Sequence, residues 1–370
     1  MGLSREGSHF MKVFLFDYRS RHAQAIIYSL KRFGYQVVVG TDSIPNYHFG
    51  VNEFVHWDSN GDSLVPLLLQ HGIQIVMPIS IEAFHFCSQE KAKLSDRGIK
   101  MLVSDLPTWL RLYNKAQTYE LAANYGIPVP RSVAISPTNY LDQIASAGLS
   151  FKLVIKGAEE GGARFVRYAH SNRDCEGIFR AFLQEDPKVF DKGVLAQEYI
   201  EGTSCAYFCL ADQGRILAEF GHRRIHESPP SGGVSTCCAS FRNEQMFELG
   251  RTLVRNERYS GPCMIEFKHD QKKERFVLIE VNPKFWGSSL LPIICGINFP
   301  VLYVQYLLGE DLDQSSIEDK TLQFVVPDLV RAIKHPACLS GFLKMLFRSG
   351  VNKDIAYFGL LPYLNYYVCR

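Results

Sequence analysis

The chain has 370 residues, 46% of them apolar and 21% charged, a globular composition that excludes long disordered tracts. Forty Lys and Arg against 38 Asp and Glu leave a net charge of +2, too small a basic excess for a protein whose task is wrapping nucleic acid, so no nucleic-acid partner is expected. Ten cysteines occur without a CxxC pair and two of them, Cys237 and Cys238, are adjacent, which reads as reduced cytoplasmic thiols rather than a disulfide scaffold.

Residues 1–10 lack the apolar core of a signal peptide and read as a tag or disordered leader. From Lys12 the chain alternates strand and helix. Strand Lys12–Phe16 precedes a helix capped by Ser20 and stopped by Gly34, and strand Gln36–Gly40 follows. A helix over Asp62–Gln70, strand Ile73–Met77, a helix over Ile81–Leu94 and strand Ile99–Val103 continue the rhythm of a parallel sheet. The first strand is not followed by G-x-G-x-x-G, which excludes a dinucleotide fingerprint there.

A helix over Pro107–Tyr125 ends at Gly126-Ile-Pro-Val-Pro130, an extended exit. The pattern then turns mostly antiparallel. Strands are expected at Phe151–Lys156, Arg164–Tyr168, Val194–Ile200, Ser204–Leu210, Arg215–His222, Cys263–Lys268 and Phe276–Val281, with helices over Asn172–Gln184 and Glu244–Arg258. The uncharged stretch Phe285–Gly309 is interrupted by Pro292, Gly296, Asn298 and Pro300, so a buried segment rather than a transmembrane helix is expected. Beyond it, Ile333, Leu339, Phe342, Leu343, Leu346 and Phe347 suggest amphipathic helices.

Four features could carry chemistry. Lys156 ends an apolar strand and runs into a loop holding Gly157, Gly161 and Gly162, where backbone N–H groups could close over phosphate oxygens beside a point charge. A hairpin tip with a solvated lysine would read the same locally. Lys115 heads a helix, where a surface charge is the plainer reading. The segment Gln197-Glu-Tyr-Ile200 leaves a strand with one donor and one acceptor edge and apolar walls, as a nucleotide base requires; a plain strand exit would also look so. Glu280 and Asn282 share one strand face, and a hairpin can bring Glu266 beside them. Carboxylates so placed need a cation, and oxygen ligands without His or Cys favour Mg²⁺ or Mn²⁺. Arg223-Arg224, followed by Ser231-Gly-Gly-Val-Ser235, could hold an anion or form surface ion pairs.

On these residues the chain, from about Met11 to about Leu308, resembles the ATP-grasp superfamily, and within it the carboxylate–amine ligase branch. The most specific match is Glu280-Val-Asn-Pro-Lys-Phe-Trp-Gly-Ser288. The resemblance implies an α/β fold, α+β in its catalytic part, with a Rossmann-like N-terminal domain, a small lid and a larger antiparallel-sheet domain. The implied extents are 11–105 for the first domain, 106–130 for a linker helix, 131–200 for the lid, 201–325 for the catalytic part and 326–370 for a helical tail packed on it.

It further implies Lys115, Lys156, Gly157, Gly161, Gly162, Gln197, Glu198, Ile200 and Ser204 around ATP, and Glu266, Glu280 and Asn282 as ligands of Mg²⁺ or Mn²⁺. Lys284 and one of Arg223 and Arg224 would face the reacting groups. The branch has Arg where this chain has Lys284, and commonly an acid near Ser204. The implied activity is ADP-forming activation of a small carboxylic acid as an acyl phosphate, then amide formation with an amino acid or peptide. A bicarbonate-using carboxylase or carbamoyl-type enzyme, or a non-catalytic nucleotide-binding module, are the alternatives. The apolar tail from Phe342 to Tyr367 either caps the catalytic domain or meets a partner, a homodimer included.

Overall fold

The computed structural model describes residues 11–43, 50–57, 61–159, 164–312, 316–360 and 363. The expected leader and the loop glycines Gly161 and Gly162 lie outside the described residues. The chain opens with β1 (Lys12–Leu15), α1 (Arg21–Arg32), β2 (Gln36–Thr41), β3 (Glu53–His56), α2 (Gly61–Gln70), β4 (Ile75–Met77), α3 (Ile81–Gln89) and α4 (Lys91–Ser95). Its strands pair in parallel in the order β3-β2-β1-β4. Ser20 caps α1 by accepting from the Ala23 N–H, and Gly34 ends it at φ +88°, the left-handed turn that glycine adopts without strain. The helix expected over 81–94 is interrupted at Glu90, and the strand expected over 99–103 reduces to a single bridge, Lys100 opposite Ile75.

The helix expected over 107–125 is two helices, α5 (Leu106–Tyr113) and α6 (Lys115–Asn124). Asn114 breaks it: its side chain accepts from the N–H groups of Ala116 and Gln117, a cap that starts a new helix. Next come β5 (Ser132–Ala134), α7 (Tyr140–Ser146), β6 (Leu153–Gly157), β7 (Val166–Ala169), α8 (Asn172–Glu185) and β8 (Val194–Glu198). They form an antiparallel sheet, β5-β8-β6-β7, over its own core of Leu153, Ile155, Phe165, Phe179 and Phe182.

The rest comprises β9 (Thr203–Asp212), β10 (Arg215–Ser228), β11 (Val234–Ser240), α9 (Glu244–Asn256), β12 (Gly261–Asp270), β13 (Arg275–Asn282), α10 (Leu290–Ile294), α11 (Phe299–Leu308), β14 (Thr321–Gln323), α12 (Val325–Lys334), α13 (Leu339–Phe347), β15 (Val351–Lys353) and α14 (Ile355–Phe358). Seven strands order as β13-β12-β9-β10-β11-β14-β15. The segment read as a helical tail thus also contributes a strand, β15, parallel to β14. The apolar stretch 285–309 is buried as α10 and α11, in a core that joins the first sheet to the large one through Phe14, Phe208, Trp286 and Phe324. Among the described residues no helix is long and apolar enough to cross a membrane.

Candidate nucleotide and metal site

A cleft of about 460 Å³ lies between the four-stranded antiparallel sheet and the seven-stranded sheet, with the start of α1 at its far end. Its metal-ligand candidates come from the β12–β13 hairpin. Glu266 stands directly opposite Glu280, and Asn282 follows on the same face, its amide 3.5 Å from Glu266 Oε1. Two carboxylates side by side are held by cations from other elements. Arg224 Nη2 lies 2.5 Å from Glu266, and Lys115 Nζ lies 3.7 Å from Glu280. Burial pushes the Glu266 carboxyl upward, Arg224 opposes that rise, and Glu280 adds to it. Among the described residues no three His, Cys, Asp or Glu side chains converge, so the donor set is two carboxylates and an amide. These hard oxygen donors fit Mg²⁺ or Mn²⁺, with phosphate oxygens completing the shell.

Both lysines face this pair. Lys115, the first residue of α6, is 3% exposed, as is Lys156 on β6. Burial, and then the Lys115 charge, pull the Lys156 ammonium down to about 7, while Glu280 and Glu266 pull it back up. A buried amine so poised gains from an incoming anion. Tyr119 is one helical turn beyond Lys115 and was not singled out in sequence, although the i, i+4 spacing puts both on one face. Its hydroxyl accepts from Lys156 Nζ at 2.5 Å, and lies 2.6 Å from the Ile279 carbonyl and 2.8 Å from Gln197 Oε1.

Gln197, Ile200 and Ser204 line the cleft. The β8 ladder ends at Glu198, leaving the backbone of Tyr199 and Ile200 beyond it on the cleft wall. The Glu198 side chain turns to Arg131, 3.2 Å away, and the Glu198 backbone N–H donates to the Arg131 carbonyl, so only backbone of this segment can serve the cleft, as a hinge read through its backbone requires. Two expectations need correction. Gly157 is a buried strand residue whose N–H donates to Phe165, which removes it from any phosphate cradle. Arg223 is exposed and turned away, whereas Arg224 lines the cleft between Glu227 and Glu266, so the structure selects Arg224.

Lys284 is half-buried at the same place, its Nζ donating to the Phe285 carbonyl at 3.1 Å. Burial lowers its pKa, against the pull of Glu280, Glu82, Glu266 and Asp17. Beyond it the cleft is walled by Trp286 of the segment Glu280–Ser288 and by residues that the sequence does not single out: Arg21 and His22 from α1, His222, and Phe358 from the tail. His22 Nε2, His222 Nε2, Trp286 Nε1 and Arg224 Nε find no hydrogen-bond partner among the described residues. Orphaned polar atoms grouped on one wall suit a polar ligand. Both histidines are held neutral, chiefly by burial, with Lys284 and Arg21 adding to the effect on His22 and Arg224 on His222. Arg21 itself lies across Gly287, where a Cβ would come within 2.8 Å of its guanidinium, and donates to the Ser235 carbonyl. No sequence signal ties a helix start to a site built hundreds of residues later.

The sheets and the cleft between them are those that the resemblance to the ATP-grasp superfamily implied. Residues 191–329 match a family model described as ATP-grasp in the biosynthetic pathway with Ter operon. The C-terminal section of the carbamoyl phosphate synthase large chain from Methanopyrus kandleri is 22% identical over 321 residues, 81% of this chain and 56% of that one. The chain therefore spans little more than half the length of that relative. Among solved structures, the biotin carboxylase domain of Hydrogenobacter thermophilus 2-oxoglutarate carboxylase, in complex with MgADP, ADP and bicarbonate, superposes with a TM-score of 0.67 at 17% identity, covering 84% of this chain and 72% of that one. The L-amino acid ligase from Bacillus licheniformis gives 0.63 at 18%, covering 83% and 75%.

Proposed function

We propose that this chain is an ATP-dependent, ADP-forming ligase that activates a small carboxylic acid as an acyl phosphate and joins it to the amine of an amino acid or peptide. One observation carries the reading: an opposed pair of carboxylates shares one cleft with buried Lys156, buried Lys115 pairs with one of them at 3.7 Å, and a further cationic pair, Arg224 and Lys284, stands beside them. Phosphoryl transfer needs little covalent help from protein groups, and such a set supplies the charge neutralisation it does need.

Lys115 and Lys156 would hold the nucleotide's phosphates, with Gln197, Ile200 and Ser204 around its base and ribose. Glu266, Glu280 and Asn282 would hold Mg²⁺ or Mn²⁺, which when bound neutralises charge on the β- and γ-phosphates. Arg224 and Lys284 would orient the acid's carboxylate toward the γ-phosphate. The unpartnered His222 Nε2 and Trp286 Nε1–H, with neutral His22, would meet the substrate's polar groups. Closure of the four-stranded sheet over the cleft would exclude water, which otherwise hydrolyses an acyl phosphate. We assign residues 11–105, 131–200 and 201–325 to the first, lid and catalytic domains on the same reading.

Phosphate release assayed with pools of acids and amines tests the proposal. Release that requires both supports it. Release that requires bicarbonate instead transfers the chain to the carboxylase reading, and none under any pool leaves a nucleotide-binding module.

A further inference from the structure

The helical hairpin formed by α12 and α13 has two apolar sides. Its inner side is accounted for. Asp328 on α12 is fully buried and accepts from Thr236 and Gln323 at 2.8 Å and from Arg331 at 2.7 Å, with His226 Nδ1 at 3.0 Å. Phe342 and Met345 of α13 are buried, Met345 against Cys237 and Val351. These contacts fasten the hairpin to the large sheet.

The outer side has no such role. Leu329 and Ile333 recur at i, i+4 on α12, and Leu339, Leu343 and Phe347 recur at the same interval on α13, so each set forms a stripe. All five are exposed, Ile333 at 69% and Phe347 at 80%. Folding gains nothing from keeping two large apolar side chains in water, and such a patch marks a surface that meets something.

The charges say what it meets. The exposed charges of the hairpin are the cations Lys334, Lys344 and Arg348; Arg331 is buried against Asp328, and Asp328 and Asp354 at its two ends are buried as well. Exposed Lys334, Lys344 and Arg348 each directly follow an exposed apolar residue, Ile333, Leu343 and Phe347. An apolar stripe bordered by cations is the surface that lies in the headgroup layer of an anionic bilayer, apolar groups inserted and cations at the phosphates. Nucleic acid would use the cations and leave the stripe in water. A second copy would bring the same cations against themselves.

We infer that the outer face of the α12–α13 hairpin binds reversibly to an anionic membrane surface, placing the chain on a bilayer without spanning it.

Co-sedimentation of the full chain with phosphatidylglycerol vesicles and with phosphatidylcholine vesicles tests this. Binding to the former only, weakening as salt rises, is expected. Phe347→Asp with Ile333→Asp should reduce it to background. Lys334→Glu with Lys344→Glu, surface changes that leave the core untouched, should weaken it by at least about fivefold for each charge changed. Unchanged melting temperatures would show that the variants fold. No sedimentation with anionic vesicles overturns the inference. So does binding that the charge and apolar variants leave intact. Concentration-dependent dimerisation lost in Phe347→Asp, without vesicle binding, would likewise overturn it and give the face to a second copy.

Discussion

Lys156 carries the clearest pH signature in the cleft. Its ammonium titrates near 7 in the free protein because burial and Lys115 disfavour its charge. A bound polyphosphate favours the charge, so above pH 7 binding must take up a proton, and affinity falls as pH rises. Calorimetric titration should show nucleotide affinity falling by up to about tenfold per pH unit above 7. Lys156→Arg should flatten that profile, because guanidinium stays charged throughout. Glu280→Gln should lower turnover by at least about a hundredfold and lower the melting temperature without unfolding the protein, since the relief of repulsion with Glu266 is outweighed by the buried Lys115 left without its partner. Lys284→Arg should preserve nucleotide affinity and change the KM for the acid, because a planar fork replaces a point charge. The metal candidates were legible because strand alternation is short-range arithmetic: the register does set Glu266 opposite Glu280. Alternation could not choose between Arg223 and Arg224. The β10 ladder shifts register between Ile216 and Ala218 and again past Arg224, and each bulge resets the phase.

The helices were legible in position more than in continuity. A single helix over 107–125 hid Asn114, whose side chain both starts α6 and donates to Glu159, and so sets Lys115 at a helix head beside Glu159. Strands β14 and β15, three residues each, are too short to show alternation, and only their pairing with β11 and each other defines them. Close packing also lies outside what a helical pattern reveals. Gly250 sits in α9 against Tyr207, and a Cβ there would fall 2.3 Å from the ring. Helix propensity alone favours Gly250→Ala by about 1 kcal/mol. Overpacking of a buried aromatic costs about 1–3 kcal/mol. The substitution should therefore destabilise, read as a lower denaturant midpoint.

The cleft as a body was the least legible feature, because its walls come from both ends of the chain. Arg21 in the first helix reaches the Ser235 carbonyl and lies 3.8 Å from the ring centre of Phe324. Phe324 follows β14 directly and belongs to the shared core. Deleting residues 321–370 should thus abolish cooperative thermal unfolding and expose apolar surface to a fluorescent dye, rather than trim an appendage. The first parallel sheet and the small antiparallel sheet each draw on one continuous stretch and can form as soon as it is synthesised. The seven-stranded sheet waits for β14 and β15, which follow residue 320. A nascent chain would hold its two carboxylates and both lysines long before the opposite wall exists. Whatever chemistry the cleft performs must therefore wait until the residues beyond 320 have been made.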